Sequence, residues 1–158
     1  MKNIDEKFMA LALKQAAKAY ELDEVPIGAV IVKDGKVIAR AYNNRESKLD
    51  PTGHAEIIVI RKAAKQLQTW RLEDTTIYVT IEPCSMCAGA LIWARVARVV
   101  YGAKEPKGGA LGSSYNLYEQ INLNHYPTVT SGVLEEQCGA IMTAFFKNKR
   151  KDKNNSKN

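Results

Sequence analysis

The stretch TTIYVTIEPCSMC, residues 75–87, decides the fold because it joins an apolar strand to the start of a cysteine-containing helix. Its first seven residues are mostly β-branched or aromatic, which is typical of a buried strand. Pro83 suits the first turn of a helix, and the residues from Cys84 to about Arg95 fit that helix. A strand that leads into a helix is a building unit of α/β domains.

Outward from this unit, strands and helices alternate along the chain. Apolar residues near helical spacing predict a first helix over residues 5–21. Residues 27–42 predict two strands joined at Asp34 and Gly35, a dipeptide favoured in hairpin turns. The other predicted elements are a helix from His54 to about Gln68, a strand over 97–103, a short helix within 114–123, a strand within 126–132 and a last helix from Leu134 to about Lys149.

Two polar segments interrupt this alternation. Residues 43–52 predict a loop in which Asp50 and Thr52 offer side-chain oxygens to the N-terminus of the helix near His54. Residues 104–114 contain three glycines and a proline, and they also predict a loop. The hairpin strands are antiparallel, and the later strands, separated by helices, are predicted to be parallel. The sequence therefore predicts an α/β domain with a mixed sheet between helical layers.

Length and charge indicate one domain with a basic C-terminus. The chain has 158 residues, 46% of them hydrophobic, so a core can form without disulfide bonds. We assign residues 1–150 to the domain and residues 151–158 to a tail that is predicted to be disordered. Of the net charge of +6, the residues from Lys147 onward carry +5. Such an arm suits a polyanion such as nucleic acid, and charge alone leaves a merely solubilising tail as the alternative.

The cysteine content favours a reducing compartment. The chain has three cysteines, an odd number, and its charged first residues give no expectation of a signal peptide. No apolar run approaches the roughly 18 residues that would span a bilayer. A cytoplasmic location is therefore expected.

Cys84 and Cys87 are three residues apart at a helix start, so their side chains share one helical face. The helix N-terminus favours thiolates through its free N–H groups and its dipole. His54 begins the earlier helix, and Glu56 follows it by two residues. Three protein ligands with one open position are typical of catalytic zinc. The pattern predicts zinc bound by these three residues, with Glu56 positioned to take a proton from zinc-activated water.

Other interpretations of the cysteine pair are a redox motif or two buried small residues. A His-x-Glu motif is a weak signal by itself. Here, however, a proline-preceded Cys-x-x-Cys follows His-Ala-Glu by about thirty residues, and this combination is the signature of zinc-dependent base deaminases.

The chain resembles the bacterial tRNA-specific adenosine deaminases over about residues 5–150, in stretches such as EVPIGAVIV, DPTGHAEI, WRLEDTTIYVTIEPCSMCAGAL and GVLEEQCGAIMTAFFKNKRK. The resemblance implies the cytidine-deaminase-like fold, a three-layer α/β/α sandwich around a five-stranded mixed sheet. It implies a homodimer whose active sites are completed by the neighbouring subunit, with one zinc ion per subunit. It also implies deamination of adenosine to inosine at the wobble position of an arginine tRNA anticodon.

The same resemblance assigns roles to individual residues. It makes His54, Cys84 and Cys87 the zinc ligands, and Glu56 the group that moves a proton from the zinc-bound water to ring N1 of adenine. Asn43 matches an asparagine that contacts the target nucleoside, although the sequence alone is equally consistent with a turn residue. Gly53 departs from the alanine that many members have before the ligand histidine.

Further residues are candidates for contacts with RNA. Val30 and Ile27 match positions at the base pocket, although by spacing alone they are core strand residues. Phe145 and Phe146 are adjacent on a helix, so one is expected to pack inward while the other stacks on a base. The candidate phosphate contacts are Lys107, Lys149 and Arg150.

Two other functions stay open at this stage. A deaminase of a free base or nucleoside is the closer one, because GALIWARV resembles an aromatic-containing helix of guanine deaminases. The other is a catalytically silent RNA-binding protein with structural zinc. Glu56 argues against the latter, since a structural site has no use for that acid.

Overall fold

The structure, a computed structural model, describes residues 2–120, 122–123 and 125–155. Its elements in chain order are α1 (Lys2–Glu21), β1 (Gly28–Lys33), β2 (Lys36–Tyr42), α2 (Ala55–Leu67), β3 (Thr75–Ile81), α3 (Ser85–Trp93), β4 (Arg98–Ala103), α4 (Leu117–Gln120), β5 (Thr128–Thr130) and α5 (Glu135–Asn155).

The five strands form one mixed sheet in the order β2-β1-β3-β4-β5. β1 pairs antiparallel with both β2 and β3, whereas β3 with β4 and β4 with β5 are parallel. Asp34 and Gly35 turn the β1–β2 hairpin with φ angles of 52° and 73°, as the two-residue hairpin turn requires. The predicted hairpin and the predicted parallel strands are confirmed.

Helices cover both faces of the sheet. On one face, α2 and α3 pack against strand residues such as Ile31 and Ile77. On the other face, α1 and α5 pack against their neighbours in sequence, such as Val30 and Tyr78. Successive side chains of a strand point to opposite faces, so each strand supplies both cores. The predicted three-layer α/β/α sandwich is confirmed.

The topology gathers several loops at one edge of the sheet. Because β1 is antiparallel to β2 and to β3, the strands β2, β3 and β4 all run in the same direction. The connections after β2 and β3 lead to α2 and α3, and the connection after β4 is the glycine-rich loop 104–114. Both helices therefore begin beside this loop.

Helix α5 is longer than the sequence pattern predicts. It continues to Asn155, so residues 151–155 of the tail that was predicted to be disordered are helical, and residues 156–158 lie outside the described residues. Lys and Arg are good helix formers, and Lys149 interacts favourably with Asp152 three positions later. Both effects extend the helix beyond its contact with the core. Within the described residues, no helix is long and apolar enough to cross a membrane.

Candidate active site

The N-termini of α2 and α3 bring three metal-binding types of side chain together. His54 is the residue before α2, Cys84 is the residue before α3, and Cys87 lies in the first turn of α3. Their ligand atoms all lie within 4.8 Å of one another. The structure thus brings together the three residues that the sequence pattern selects.

The spacing of these atoms fits a tetrahedral zinc site. His54 Nδ1 lies 3.7 Å from the sulfur of Cys84 and 3.6 Å from the sulfur of Cys87. Zinc bonds of about 2.3 Å to sulfur and about 2.0 Å to nitrogen place such ligand atoms about 3.5 Å apart. In the part of the chain that the structure describes, the group has three members, which is the ligand count of catalytic rather than structural zinc.

Hydrogen bonds inside this cluster favour a thiolate. The Cys87 thiol donates to Cys84, which lowers the pKa of Cys84 to about 4 despite its partial burial. The same bond raises the pKa of Cys87, and the hydrogen bond with Cys84 raises the pKa of His54. Metal ligands bind in their deprotonated form, so zinc binding would release the protons that these groups share.

Glu56 is buried beside the cluster, in the first turn of α2. It is 3% exposed, and within the described residues its Oε1 accepts no hydrogen bond. Burial raises the pKa of Glu56 to about 7. A buried carboxyl oxygen without a donor is costly to the fold. The presence of such a carboxyl group next to the cluster of His54, Cys84 and Cys87 indicates that Glu56 exchanges protons.

Asn43 fixes the start of α2. Its Oδ1 accepts a 2.7 Å hydrogen bond from the N–H of Ala55. The prediction that Asp50 and Thr52 cap this helix is wrong, because Asp50 Oδ1 accepts instead from the N–H and the hydroxyl of Thr52. Those bonds close a local turn before α2 begins. Asn43 therefore positions the backbone next to His54, and its contact with a nucleoside stays a prediction.

Gly53 allows the loop before α2 to fold closely over it. A Cβ atom at this position would lie 2.6 Å from Asn44 Oδ1 and 3.0 Å from the backbone of Arg45. Alanine would therefore force the loop to move. The glycine matches the conformation of this loop, immediately before the ligand His54.

Glu24 anchors the same loop, and the sequence patterns did not single it out. Its carboxylate is 2% exposed and accepts hydrogen bonds of 3.0 and 2.6 Å from the N–H groups of Glu46 and Ser47. Burial alone would raise the pKa of Glu24, but these donors outweigh burial and lower it. The available signal was an acid two residues before Pro26, ahead of a buried strand.

Glu82 plays the corresponding part for loop 104–114. It is 4% exposed and accepts hydrogen bonds from the backbone of that loop. A charged residue between an apolar strand and Pro83 was the signal that could have indicated its burial.

The aromatic pair on α5 faces two ways. Phe145 is 6% exposed and packs edge-on against Tyr20 of α1, with 5.8 Å between the ring centroids. Phe146 is 42% exposed. The expected division into one inward and one outward ring is present, and Phe146 is the ring that is accessible to a base.

The three candidate phosphate contacts differ in their surroundings. Lys149 Nζ lies 2.5 Å from Asp23 Oδ2, so this cation already has an acidic partner. Arg150 is exposed on α5. Lys107 is exposed on loop 104–114, at the edge of the sheet where both ligand-bearing helices begin.

Val30 does not lie at the site. It is fully buried between the sheet and α1, because its place in β1 turns it away from α2, which Ala29 and Ile31 face. The prediction that Val30 walls the base pocket is wrong. Ile27 lies nearer, since its carbonyl accepts a 3.1 Å hydrogen bond from the N–H of Asn43.

Comparisons with known proteins agree with a site built from His54, Cys84, Cys87 and Glu56. The family model of the MafB19-like deaminases matches residues 3–150. A tRNA-specific adenosine deaminase of Bacillus subtilis is 54% identical over 149 residues, covering 94% of this chain and 92% of the relative. A solved structure of a tRNA:A34 deaminase, described for A-to-I editing at the wobble position, is 50% identical with a TM-score of 0.83, covering 85% of this chain and 98% of that one. A guanine deaminase from Bacillus subtilis is 36% identical with a TM-score of 0.60, covering 75% and 86%.

These neighbours confirm the cytidine-deaminase-like fold, and a deaminase is the class of enzyme that fold and site define. Within that class, the chain belongs to the family of tRNA-specific adenosine deaminases.

Proposed function

We propose that the chain hydrolyses adenosine to inosine and ammonia at the first anticodon position of tRNA, with an arginine tRNA as substrate and one zinc ion per subunit. The observation that carries the proposal is the buried Glu56, with an unpaired oxygen, beside the cluster of His54, Cys84 and Cys87. Relatives of the chain are named as deaminases that act on adenosine in tRNA. The three cysteines are free, which fits a reaction in the cytoplasm.

The proposed chemistry divides between the metal and one acid. His54 Nδ1 and the sulfurs of Cys84 and Cys87 would hold zinc, which would act as the Lewis acid that makes water a nucleophile near neutral pH. Glu56 takes the proton of the attacking water and passes it to ring N1 of adenine, and it later assists the departure of ammonia. Its place in the first turn of α2, beside His54, puts the carboxyl group next to the proposed position of that water.

An anticodon base is a suitable substrate because it is already unpaired, so moving it into a pocket costs little. We assign Asn43 a contact with the target nucleoside, and Phe146 offers an exposed ring for stacking. Lys107 and Arg150 are the exposed cations assigned to phosphates. Lys149 contributes after exchange of its partner Asp23 for a phosphate.

We also propose that the active unit is a homodimer. Helix α3 begins at the ligand cluster. At its other end, Trp93 is 66% exposed. A large exposed aromatic residue on such a helix favours burial against a second subunit.

A free-base deaminase is the second candidate, and the 36% identity to a guanine deaminase supports it. The higher identity to tRNA deaminases and the basic, exposed end of α5 favour RNA. The purified zinc-loaded enzyme should be incubated separately with an anticodon stem-loop RNA, with the same RNA lacking adenine at the first anticodon position, and with free guanine, cytidine and adenosine. Inosine in the first RNA alone is the expected result. Turnover of the small molecules alone would refute the proposed substrate.

A further inference from the structure

The carboxylate of Glu82 ties the glycine-rich loop 104–114 together through four hydrogen bonds. Its Oε1 accepts from the N–H of Glu105 at 3.2 Å and from the Ser113 hydroxyl. Its Oε2 accepts from the N–H groups of Leu111 at 3.0 Å and Ser113 at 3.1 Å. Donors from both arms of the loop thus converge on one buried group, which strongly restricts the loop.

Backbone hydrogen bonds of Glu82 and Pro83 also connect the loop to the segment that leads into α3. The N–H of Glu82 donates to the carbonyl of Ala103 at 2.9 Å, and the N–H of Ala110 donates to the carbonyl of Pro83 at 2.9 Å. Pro83 directly precedes the ligand Cys84. The loop is therefore held in register with the part of the chain that carries the ligands.

Two neighbouring glycines show how tightly the loop closes on Glu82. A Cβ atom on Gly109 would lie 2.5 Å from the carboxylate of Glu82 and 2.5 Å from the carbonyl of Glu105, whereas a Cβ atom on Gly108 would meet nothing within 4 Å. Alanine at position 109 must displace the loop or the carboxylate, and alanine at position 108 need not displace either.

The outer side of this loop carries cations. Lys104 and Lys107 are exposed, and Lys104 borders a groove of about 420 Å³ that Tyr101, Pro106 and Ser113 also line. Cations on a fixed backbone lose less conformational entropy on binding phosphate than cations on a mobile loop. A fixed loop would therefore favour phosphate binding by these lysines without any contact between Glu82 and RNA.

We propose that Glu82 is a positioning residue, which fixes loop 104–114 so that its lysines meet the phosphates beside the reactive nucleotide. This inference rests on the proposed function, because it concerns how the same site holds RNA. Glu82 touches neither the base nor the metal ligands in this assignment, so its loss should act on KM and leave the chemical step largely intact.

The test compares Glu82→Gln, Gly109→Ala and Ser113→Ala with wild type and with Gly108→Ala as the matched control. Steady-state kcat and KM are measured on an anticodon stem-loop RNA, together with zinc content, the melting temperature and hydrogen exchange of the amides of Glu105, Leu111 and Ser113. We expect Glu82→Gln and Gly109→Ala to raise KM by about tenfold or more, with kcat within about threefold of wild type and full zinc content. Ser113→Ala, which removes one hydrogen bond of the four, should raise KM less.

Faster exchange of the three amides should accompany the KM effect. The double variant Glu82→Gln/Gly109→Ala should be no worse than either single variant, because both release the same loop. Gly108→Ala should match wild type. If Glu82→Gln folds poorly or loses zinc, Gly109→Ala still tests the proposal, since it keeps residue 82 as glutamate and disturbs its packing against the loop.

An unchanged KM in Gly109→Ala despite faster amide exchange would overturn the proposal, as would a fall in kcat alone. A lowered melting temperature with unchanged kcat and KM would assign Glu82 a role in stability only. Absence of inosine formation by the wild-type enzyme would instead refute the proposed function, so the two failures are distinguishable.

Discussion

Three buried glutamates lie around the loops at one edge of the sheet, and they differ in what their oxygens contact. Glu24 and Glu82 accept hydrogen bonds from the N–H groups of loops 43–52 and 104–114. Glu56, equally buried, has an oxygen that accepts none within the described residues. The first two carboxylates stabilise loop conformations, whereas the third keeps its oxygen available for a proton.

The comparison separates structural from chemical roles by hydrogen bonding rather than by burial. Backbone donors favour the ionised form, and they lower the pKa of Glu24 in spite of its burial. For Glu56, burial outweighs the hydrogen bonds that favour the ionised form and raises the pKa to about 7. Glu56→Gln and Glu24→Gln test the two sides of this contrast directly, and the other predictions test the site and the fold around it.

Removal of a metal ligand should have the largest effect. Cys87→Ala leaves two ligand side chains, so zinc content should fall well below one per chain and deamination should fall by more than about 10⁴-fold. Atomic absorption and an inosine assay measure the two quantities. Cys138→Ala is the control, because Cys138 is buried against Gly102, outside the cluster. Full zinc content in Cys87→Ala would contradict the ligand assignment.

Glu56→Gln should slow the chemical step strongly without harming the fold. We expect kcat to fall by about 10²- to 10⁴-fold, the usual contribution of general acid–base catalysis. Zinc content should stay at the wild-type level. The free energy of unfolding should be unchanged or higher, because the substitution removes a buried ionisable group whose Oε1 has no donor. A marked loss of stability would mean that Glu56 belongs with the structural glutamates.

Asp5→Asn should lower stability in a pH-dependent way. Asp5 accepts hydrogen bonds from Arg98 at 2.9 and 2.7 Å and from the Tyr78 hydroxyl at 2.8 Å. The Arg98 bonds hold the pKa of Asp5 below its ordinary value of 3.8. A lowered folded-state pKa stabilises the fold above the unfolded-state pKa, and this contribution is lost as pH falls through the folded-state value.

The expected loss for Asp5→Asn is about 2 kcal/mol at pH 7. The difference from wild type should shrink progressively below about pH 4, where the wild-type carboxylate also becomes protonated. Urea unfolding at several pH values measures this difference, and Glu6→Gln, next in sequence, controls for the change in net charge. A difference that grows on acidification would have the wrong sign for this account.

Glu24→Gln should cost about 1–2 kcal/mol, since the new amide group opposes one of the two backbone donors in loop 43–52. Amides of Glu46 and Ser47 should exchange faster with deuterium. The exposed Glu21 provides the control substitution Glu21→Gln. Wild-type stability and exchange in Glu24→Gln would remove the contrast with Glu56.

Deletion of residues 151–158 should have the smallest effect. It removes three lysines and one aspartate, so RNA affinity should fall modestly. The slope of log affinity against log salt should decrease by about 0.7 for each phosphate contact that is lost. Filter binding at several salt concentrations gives the slope, and an unchanged slope would leave the end of α5 with a solubilising role.

Much of the fold and the centre of the site followed from local patterns. The apolar run 75–81 and the Asp34–Gly35 turn specify their elements by short-range chemistry, and the motif spacing selects His54, Cys84 and Cys87. Hydrogen bonds between residues far apart in the sequence were harder to predict. That Glu82 reaches Ser113, or that Asn43 caps α2, depends on contacts between distant segments that no local pattern encodes. Val30 was misplaced because sequence similarity does not specify which face of a strand meets the site.

The central claim is that Glu56 moves the proton at a zinc centre which converts adenosine to inosine in the anticodon. Its most direct test is sequencing of an arginine tRNA after incubation with zinc-loaded wild-type enzyme and, in parallel, with Glu56→Gln at equal zinc content. The account predicts inosine, which is sequenced as guanosine, at the first anticodon position with wild type and unchanged adenosine with the variant. Inosine formed by the variant at the wild-type rate would contradict it.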